Sequence, residues 1–275
     1  VTVDVDIIVV SHNTRADLEA CLETLHASPP TGMRTIFVVD NASVDGTAER
    51  VRSRWPGVRL VTLDRNVGFA AANNLALRES RARFVLLLNS DTVPPAGALD
   101  LLLERLIATG AVAAGPRLVD GEGRPEVSFG RMLSPWTELL QRARVGLARR
   151  RGATASRIIG RLLAREREVD WVSGACMLVR REAALQAGLF DERFFMYEED
   201  VDFCAALRAR GGRVLYTPRA VVVHHRGRSV RAAGADLRAI YDRSHLLFYE
   251  KHRPRWVPVL RWWQGRYNSA RANRH

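Results

Sequence analysis

Val5-Asp6-Ile7-Ile8-Val9-Val10-Ser11-His12-Asn13 decides the fold: a β-branched, largely apolar run that stops abruptly in polar residues. An amphipathic stretch from Arg15 to His26 follows it. The same alternation then returns as Thr35–Val39 with Val44–Trp55, Val58–Leu63 with Gly68–Ser80, and Phe84–Leu88 with Pro95–Thr109. Short runs without a polar face suit strands covered on both sides, so these read as consecutive βα units of a parallel sheet. Right-handed crossovers set the carboxyl ends of all such strands along one rim. Polar residues collect there: Ser11, His12 and Asn13 after the first run, Asp40 and Asn41 after the second, Asp64 to Asn66 after the third, and Asn89 to Asp91 after the fourth. Singly, each is explained as a helix cap or a turn. Open α/β sheets bind ligands outside the strand carboxyl ends, however, so the rim is also the expected site.

Beyond this half, 111–128 reads as a strand and a turn around Asp120-Gly121-Glu122-Gly123, and 130–168 as an arginine-rich helical insertion. Sheet character resumes over Val169–Val179, followed by a short helix at Glu182–Ala187. The acidic stretch Asp191–Asp202 leads into a helix ending near Gly211-Gly212. Arg213–Tyr216 and Ala220–Val223 read as strands, and Leu237–Lys251 as an amphipathic helix. Neither a repeat nor a low-complexity linker divides the chain, which points to one continuous domain with a basic tail.

With 275 residues, 47% apolar and 26% charged, the chain has the composition of a folded globular protein, not of a disordered or collagen-like one. Its three cysteines, Cys21, Cys176 and Cys204, are scattered, which argues against a zinc ribbon or a disulfide scaffold and for a reducing, cytoplasmic setting. No apolar run approaches the roughly 18 residues of a membrane span, and no signal-peptide pattern opens the chain. The net charge of +12 is segmental: −3 over 1–140, +7 over 141–169, −5 over 170–207 and +13 over 208–275. The two basic segments, with Trp256, Trp262 and Trp263 among the tail arginines, are expected to suit an anionic membrane surface on the inner face of the plasma membrane. No nucleic-acid recognition motif accompanies the charge, and a nucleic-acid partner is not expected.

Three constellations carry chemistry. Leu87-Leu88-Asn89-Ser90-Asp91 ends a strand in a carboxylate, which suffices to hold Mg²⁺ or Mn²⁺ when a diphosphate supplies further oxygens. Glu198-Glu199-Asp200-Val201-Asp202, beside Phe194, Phe195 and Tyr197, crowds like charges against apolar walls. That arrangement raises proton affinity, as a general base requires, although helix-dipole stabilisation accounts for part of it. Val221-Val222-Val223-His224-His225 ends a strand in adjacent imidazoles that point to opposite faces, so at most one enters a shared site. G-x-G-x-x-G after the first strand, the P-loop and the G-x-S-x-G elbow are all missing from the sequence.

Taken in order, Val9 to Asn13, Val39 to Thr47, Asn66 to Phe69 with Asn73-Asn74, Leu88 to Asp91, Trp171 to Met177, Phe190 to Phe195, Glu199 to Asp202, and His224 to Ser229 resemble inverting glycosyltransferases of family 2. The rhamnosyltransferase-like branch is the nearest match, over about residues 5 to 230. The resemblance implies an α/β GT-A fold: a Rossmann-like nucleotide-sugar half over about 1–110, an acceptor half over about 111–230 containing the insertion at 130–168, a mixed central sheet flanked by helices, and a basic helical tail over 231–275. It further implies that Asp40 contacts the nucleotide base and that Ser11, Asn13, Asn66 and Gly68 line the nucleotide pocket. Asn89 and Asp91 match the D-x-D position, with Asn in place of the first Asp, and Asp91 would hold the metal. Asp200 matches the general base, with Glu199 before it. His224, at the head of H-x-x-G-x-S, is preferred over His225 as metal ligand. Trp171, Ser173 and Gly174 would border the sugar or acceptor pocket. The expected donor is dTDP-rhamnose, with a UDP- or GDP-sugar as the alternative, and the expected acceptor is a glycan or lipid-linked glycan of the cell surface. The rival reading is a non-catalytic nucleotide-sugar-binding subunit of an assembly system.

Overall fold

The structure is a computed structural model that describes residues 4–149, 153–225, 237–262 and 264. The parallel half forms as the periodicity implies: β1 (Val5–Ser11), α1 (Arg15–Ala27), β2 (Met33–Asp40), α2 (Thr47–Arg54), β3 (Arg59–Thr62), α3 (Phe69–Glu79) and β4 (Phe84–Asn89). These strands lie in the order β3-β2-β1-β4, all parallel. The chain continues through β5 (Thr92–Val93), α4 (Ala98–Thr109), β6 (Ala113–Val119), and β7 (Phe129–Gly130), which pairs with β9 (Trp171–Val172) in a separate two-stranded ladder. Between the strands of that ladder come α5 (Pro135–Arg149), α6 (Ala153–Leu163) and β8 (Arg167–Val169). Then follow β10 (Cys176–Arg180), α7 (Arg181–Gln186), α8 (Glu199–Ala209), β11 (Val214–His224) and α9 (Leu237–His252).

Alternate residues of each central strand enter opposite cores. Ile7, Val9, Leu86 and Leu88 pack with Leu18 and Leu22 of α1 and Leu102 of α4, whereas Ile8, Val85 and Leu87 pack with Ala72 and Leu77 of α3 and Phe203 of α8. Two covered faces are why these strands are apolar at nearly every position. A third, smaller cluster joins Phe248 and Tyr249 of α9 to Leu133, Phe194 and Val201, so α9 packs directly against the acidic turn.

Past β4 the sheet becomes mixed. β10 runs antiparallel to β4 and β6, β11 is parallel to β6, and β5 is antiparallel to β11. The strands expected at 213–216 and 220–223 are one strand, β11, whose pairing with β6 shifts register between Thr217 and Val221. Pro218, which has no N–H to give a ladder, lies in that irregularity. Register also builds the rim: Ser11 pairs with Asp40, and Val10 with Asn89. Cys176 lies opposite Leu88, so the 173–175 segment meets the end of β4. Among the described residues, no helix is long and apolar enough to cross a membrane.

Candidate active site

Polar residues of the parallel half bind chiefly one another. Asp40 Oδ1 accepts the Ser43 N–H at 3.0 Å, and Asn13, in the left-handed region at φ 53°, accepts the Val44 N–H through Oδ1 at 2.8 Å. Asn41 is the hub: its amide donates to Asn66 Oδ1 at 2.9 Å and to the Gly68 carbonyl at 3.2 Å, and its Oδ1 accepts the Val67 N–H at 2.9 Å. Asn66 Oδ1 in turn accepts the Gly68 N–H at 2.9 Å. The Ser11 hydroxyl lies inside the fold, 2.9 Å from Thr14 Oγ1, which is 2.8 Å from Ser90 Oγ. Ser11 and Asn66 thus contribute side chains to the frame under the rim, with their hydrogen-bonding atoms turned to neighbouring residues.

Gly68 joins this frame to the second half. At φ +86°, a Cβ there would lie 2.4 Å from the Phe195 carbonyl oxygen, the same oxygen that accepts the Phe69 N–H at 2.7 Å. Only glycine permits that approach. Asn74 adds a second clamp, its amide donating to the Phe190 carbonyl at 2.9 Å and accepting the Phe190 N–H at 3.0 Å. The 190–198 loop is therefore held against the amino end of α3.

Where β5 meets β11 stand Asp91 and His224. Pairing of β5 with β11 sets His224 opposite Thr92, and the His225 N–H donates to the Asp91 carbonyl at 2.8 Å. Asp91 Oδ1 is buried, accepts no well-formed hydrogen bond, and lies 3.3 Å from His224 Nε2. The other ring nitrogen, Nδ1, is 3.0 Å from Glu126 Oε2. Burial alone would lower the His224 pKa, but Asp91 and Glu126 together raise it to about 9. Glu126 escapes sequence reasoning because it sits among the turn residues 120–126, where an acid reads as solvated. His225 packs instead against Gly121, whose Cβ position would be 3.0 Å from His225 Nδ1. Gly227 and Ser229 lie outside the described residues.

Across the 173–175 segment stands the acidic turn. Asn89 donates its N–H to the Ala175 carbonyl at 2.9 Å, while the N–H of the preceding Gly174 donates to Asp200 Oδ2 at 2.9 Å. One short segment thus bridges the end of β4 and the expected base. Asp200 Oδ1 accepts the Val201 N–H at 2.8 Å. Burial raises the proton affinity of Asp200, and these backbone donors hold it partly down, leaving it above the ordinary aspartate range. Burial and the charge of Asp200 push Glu199 well up, and its Oε2 has no hydrogen-bond partner. Glu198 is pushed to about 8 by burial and by the charges of Asp200 and Glu138. Tyr197 and Glu198 both take left-handed backbone, at φ 72° and 65°. Such conformations persist only where surrounding contacts impose them.

Asp202 faces the other way, meeting His252 Nε2 at 2.6 Å and Lys251 Nζ at 2.9 Å, and so fastens α9. Trp171 lies over Gly130 and donates Nε1–H to the Arg131 carbonyl at 3.0 Å. Ser173 donates its N–H to Ser128 at 2.8 Å, and its hydroxyl accepts the Ala175 N–H at 3.3 Å.

Among the described residues, no group of three or more His, Cys, Asp or Glu side chains is arranged to hold a metal ion. Asp91 and His224 supply two donors, one of them an unsatisfied buried oxygen, close enough to share one cation. That set fits Mg²⁺ or Mn²⁺ completed by oxygens of a bound diphosphate.

A parallel half ending in a polar frame, joined to a mixed half that carries the acidic turn and His224, defines a GT-A glycosyltransferase. Solved structures share this fold. GalNAc-T7 with UDP, GalNAc and Mn²⁺ matches 81% of this chain and 44% of its own at a TM-score of 0.60 and 15% identity. The mannosyltransferase PcManGT of Pyrobaculum calidifontis, in complex with GDP-Man and Mn²⁺, matches 94% of this chain and 68% of its own at 0.58 and 20%. Residues 6–184 match glycosyl transferase family 2, and the chain belongs to that family. The N-acetylglucosaminyl-diphospho-decaprenol L-rhamnosyltransferase of Mycobacterium tuberculosis is 30% identical over 269 residues, covering 93% of this chain and 87% of that protein.

Proposed function

We propose that this glycosyltransferase moves a rhamnosyl group from dTDP-rhamnose to a lipid-linked glycan in a single inverting displacement. The observation that carries the reading is the setting of Asp200. Two backbone N–H groups fix its carboxylate while burial raises its proton affinity. In that setting Asp200 takes the proton of the acceptor hydroxyl as it attacks the anomeric carbon. Glu199, Trp171, Ser173 and Gly174 border the pocket in which sugar and acceptor meet.

Asp91 and His224 would hold Mg²⁺ or Mn²⁺, which supplies positive charge for the departing diphosphate. Glu126 orients the imidazole: Nδ1–H is donated to Glu126, which turns Nε2 toward Asp91, and Nε2 must give up its proton to ligate a cation there. Asp40 faces the base, with Asn13, Asn66 and Gly68 shaping the loop around it and Asn89 at the diphosphate. The rhamnosyl and lipid parts of the reading are supported by the name of the mycobacterial relative, and a nucleotide-sugar donor by the titles of the solved structures. A cytoplasmic site on the membrane's inner face follows from such an acceptor.

The test is a panel of dTDP-, UDP- and GDP-sugars screened for thermal stabilisation with and without Mn²⁺, because a ligand of the native state raises its melting point. Stabilisation by dTDP-rhamnose that depends on the metal is expected. Stabilisation by another sugar alone would replace the donor, and metal-independent stabilisation would remove the role of Asp91 and His224.

A further inference from the structure

α5 is built inside out. Over its first two turns the inner face is polar: Glu138 Oε1 meets His245 Nε2 at 3.0 Å and accepts the Tyr249 hydroxyl, and Gln141 Nε2 donates to the Phe129 carbonyl at 3.0 Å, while Leu147 and Ala148 near its carboxyl end pack against the core. Its outer face is apolar, with Trp136 71%, Leu139 61% and Leu140 58% exposed. A surface helix normally does the reverse, and a contiguous exposed apolar stripe marks an interaction surface.

Basic residues continue the stripe. Trp136, Leu140, Arg144 and Leu147 follow at spacings of 4, 4 and 3, which place them on one side of the helix. That side opens into a cavity of about 650 Å³ between α5 and α6, where Arg144, Arg161 and Arg165 surround Leu147, Ile158 and Leu162. Arg167 at its edge is fixed to the Leu162 carbonyl at 2.7 Å. Among the described residues, no carboxylate pairs with Arg144, Arg161 or Arg165. A second exposed apolar set, Trp256, Val259 and Trp262, follows Arg253, which donates to the Leu133 carbonyl, just ahead of α5, at 3.3 Å.

We infer that the α5–α6 hairpin docks on an anionic bilayer, its apolar stripe entering the interface and its arginine groove receiving lipid phosphates. Charge complementarity selects this occupant: 141–169 carries a net +7. Guanidinium groups grip phosphate oxygens in pairs, and Trp and Leu suit the headgroup boundary. Docking here also suits the enzyme. Glu138 on the inner face of α5 binds His245 of α9, and the adjacent Ser244 donates to the Met196 carbonyl at 2.8 Å, so the acidic turn lies behind the docked helix. The purpose of docking rests on the lipid-linked acceptor proposed above, whereas the docking itself rests on this surface alone.

Sedimentation of the full chain with vesicles tests it, comparing phosphatidylcholine alone with phosphatidylcholine containing phosphatidylglycerol. Wild type is expected to partition strongly onto the anionic vesicles. Arg144→Ser/Arg161→Ser/Arg165→Ser should lose about a hundredfold together with most of the salt dependence. Trp136→Ser/Leu140→Ser should lose about tenfold or more at every salt concentration. Both variants should keep wild-type melting temperatures and wild-type transfer to a water-soluble acceptor analogue. Unchanged partition in either variant, or equal binding of wild type to neutral vesicles, overturns the inference. So does displacement by inorganic phosphate beyond that by chloride at equal ionic strength, which would make the groove a free-phosphate site. Concentration-dependent self-association that Trp136→Ser/Leu140→Ser abolishes would assign the stripe to a second copy of the chain and also overturn it. If vesicle binding behaves as expected while no lipid-linked acceptor is glycosylated, docking stands and the acceptor reading alone falls.

Discussion

The rim of the parallel half and the acidic turn at 196–202 hold their polar groups in opposite ways. In the rim, Asn13, Asn41 and Asn66 satisfy one another and the loop backbone, so the loops are set before any ligand arrives. In the turn, Glu198, Glu199 and Asp200 lie together with raised proton affinities, Glu199 Oε2 has no partner, and two neighbouring residues hold left-handed backbone. On the proposed mechanism, this contrast separates the work of the two halves. A binding frame benefits from being complete, while a proton acceptor needs an environment in which its charged form is not fully stabilised. The two meet at Gly68 and Phe195, and at the 173–175 segment shared by Asn89 and Asp200.

The sharpest way to separate the two regions is Asp200→Asn. It should lower kcat by about 10²–10⁴-fold while leaving donor affinity in place. Transfer rates and donor titrations report the two quantities, and equal losses in both would move Asp200 from the reaction to the frame. Next is Glu126→Gln, which leaves Asp91 and His224 present but weakens the hold on the imidazole. Mn²⁺ affinity should fall about 10–100-fold, read by metal titration, and chelation of the metal should abolish transfer in both proteins. An unchanged metal affinity would confine Glu126 to packing.

The junction itself is tested by Gly68→Ala. With φ at +86° and the Phe195 carbonyl oxygen 2.4 Å from the new Cβ, destabilisation of about 1–3 kcal/mol is expected from strain alone, lowering the melting temperature by several degrees. A melting temperature matching wild type would show that the two halves do not depend on this contact. The smallest effect is that of Glu198→Gln. The folded-state pKa of Glu198 is raised to about 8, so wild type loses stability as pH climbs from the ordinary glutamate range through 8, where ionisation is forced on a half-buried group beside Asp200. The glutamine variant carries no such loss. Its melting temperature should match wild type near pH 4 and exceed it by a few degrees near pH 9, and parallel curves across that range would place Glu198 in contact with water.

Much of this was legible because it is periodic. The runs Val5–Val10, Thr35–Val39 and Phe84–Leu88 become parallel strands, and Asp40, Asn89 and Asp91 fall at their carboxyl ends. The roles of Asp202 and Asn74 were not legible. Asp202 stands two residues from Asp200 in the same helical turn, yet faces Lys251 and His252 of α9, nearly fifty residues later. Asn74 reads as a polar position on a helix, but it clamps the backbone of Phe190. Similarly, nothing local distinguishes Glu126 from its exposed neighbour Glu122.

By itself, then, the sequence determined the alternating architecture, the rim and the family, because strand burial and strand-end chemistry are written in residues close together in the chain. Only the tertiary structure decided that Asp202 turns to α9 rather than to Glu199 and Asp200, which acid stands behind His224, and that α5 leaves Trp136, Leu139 and Leu140 exposed. Those outcomes depend on elements brought together across the chain, and a side chain's environment is set by what packs against it rather than by what precedes it.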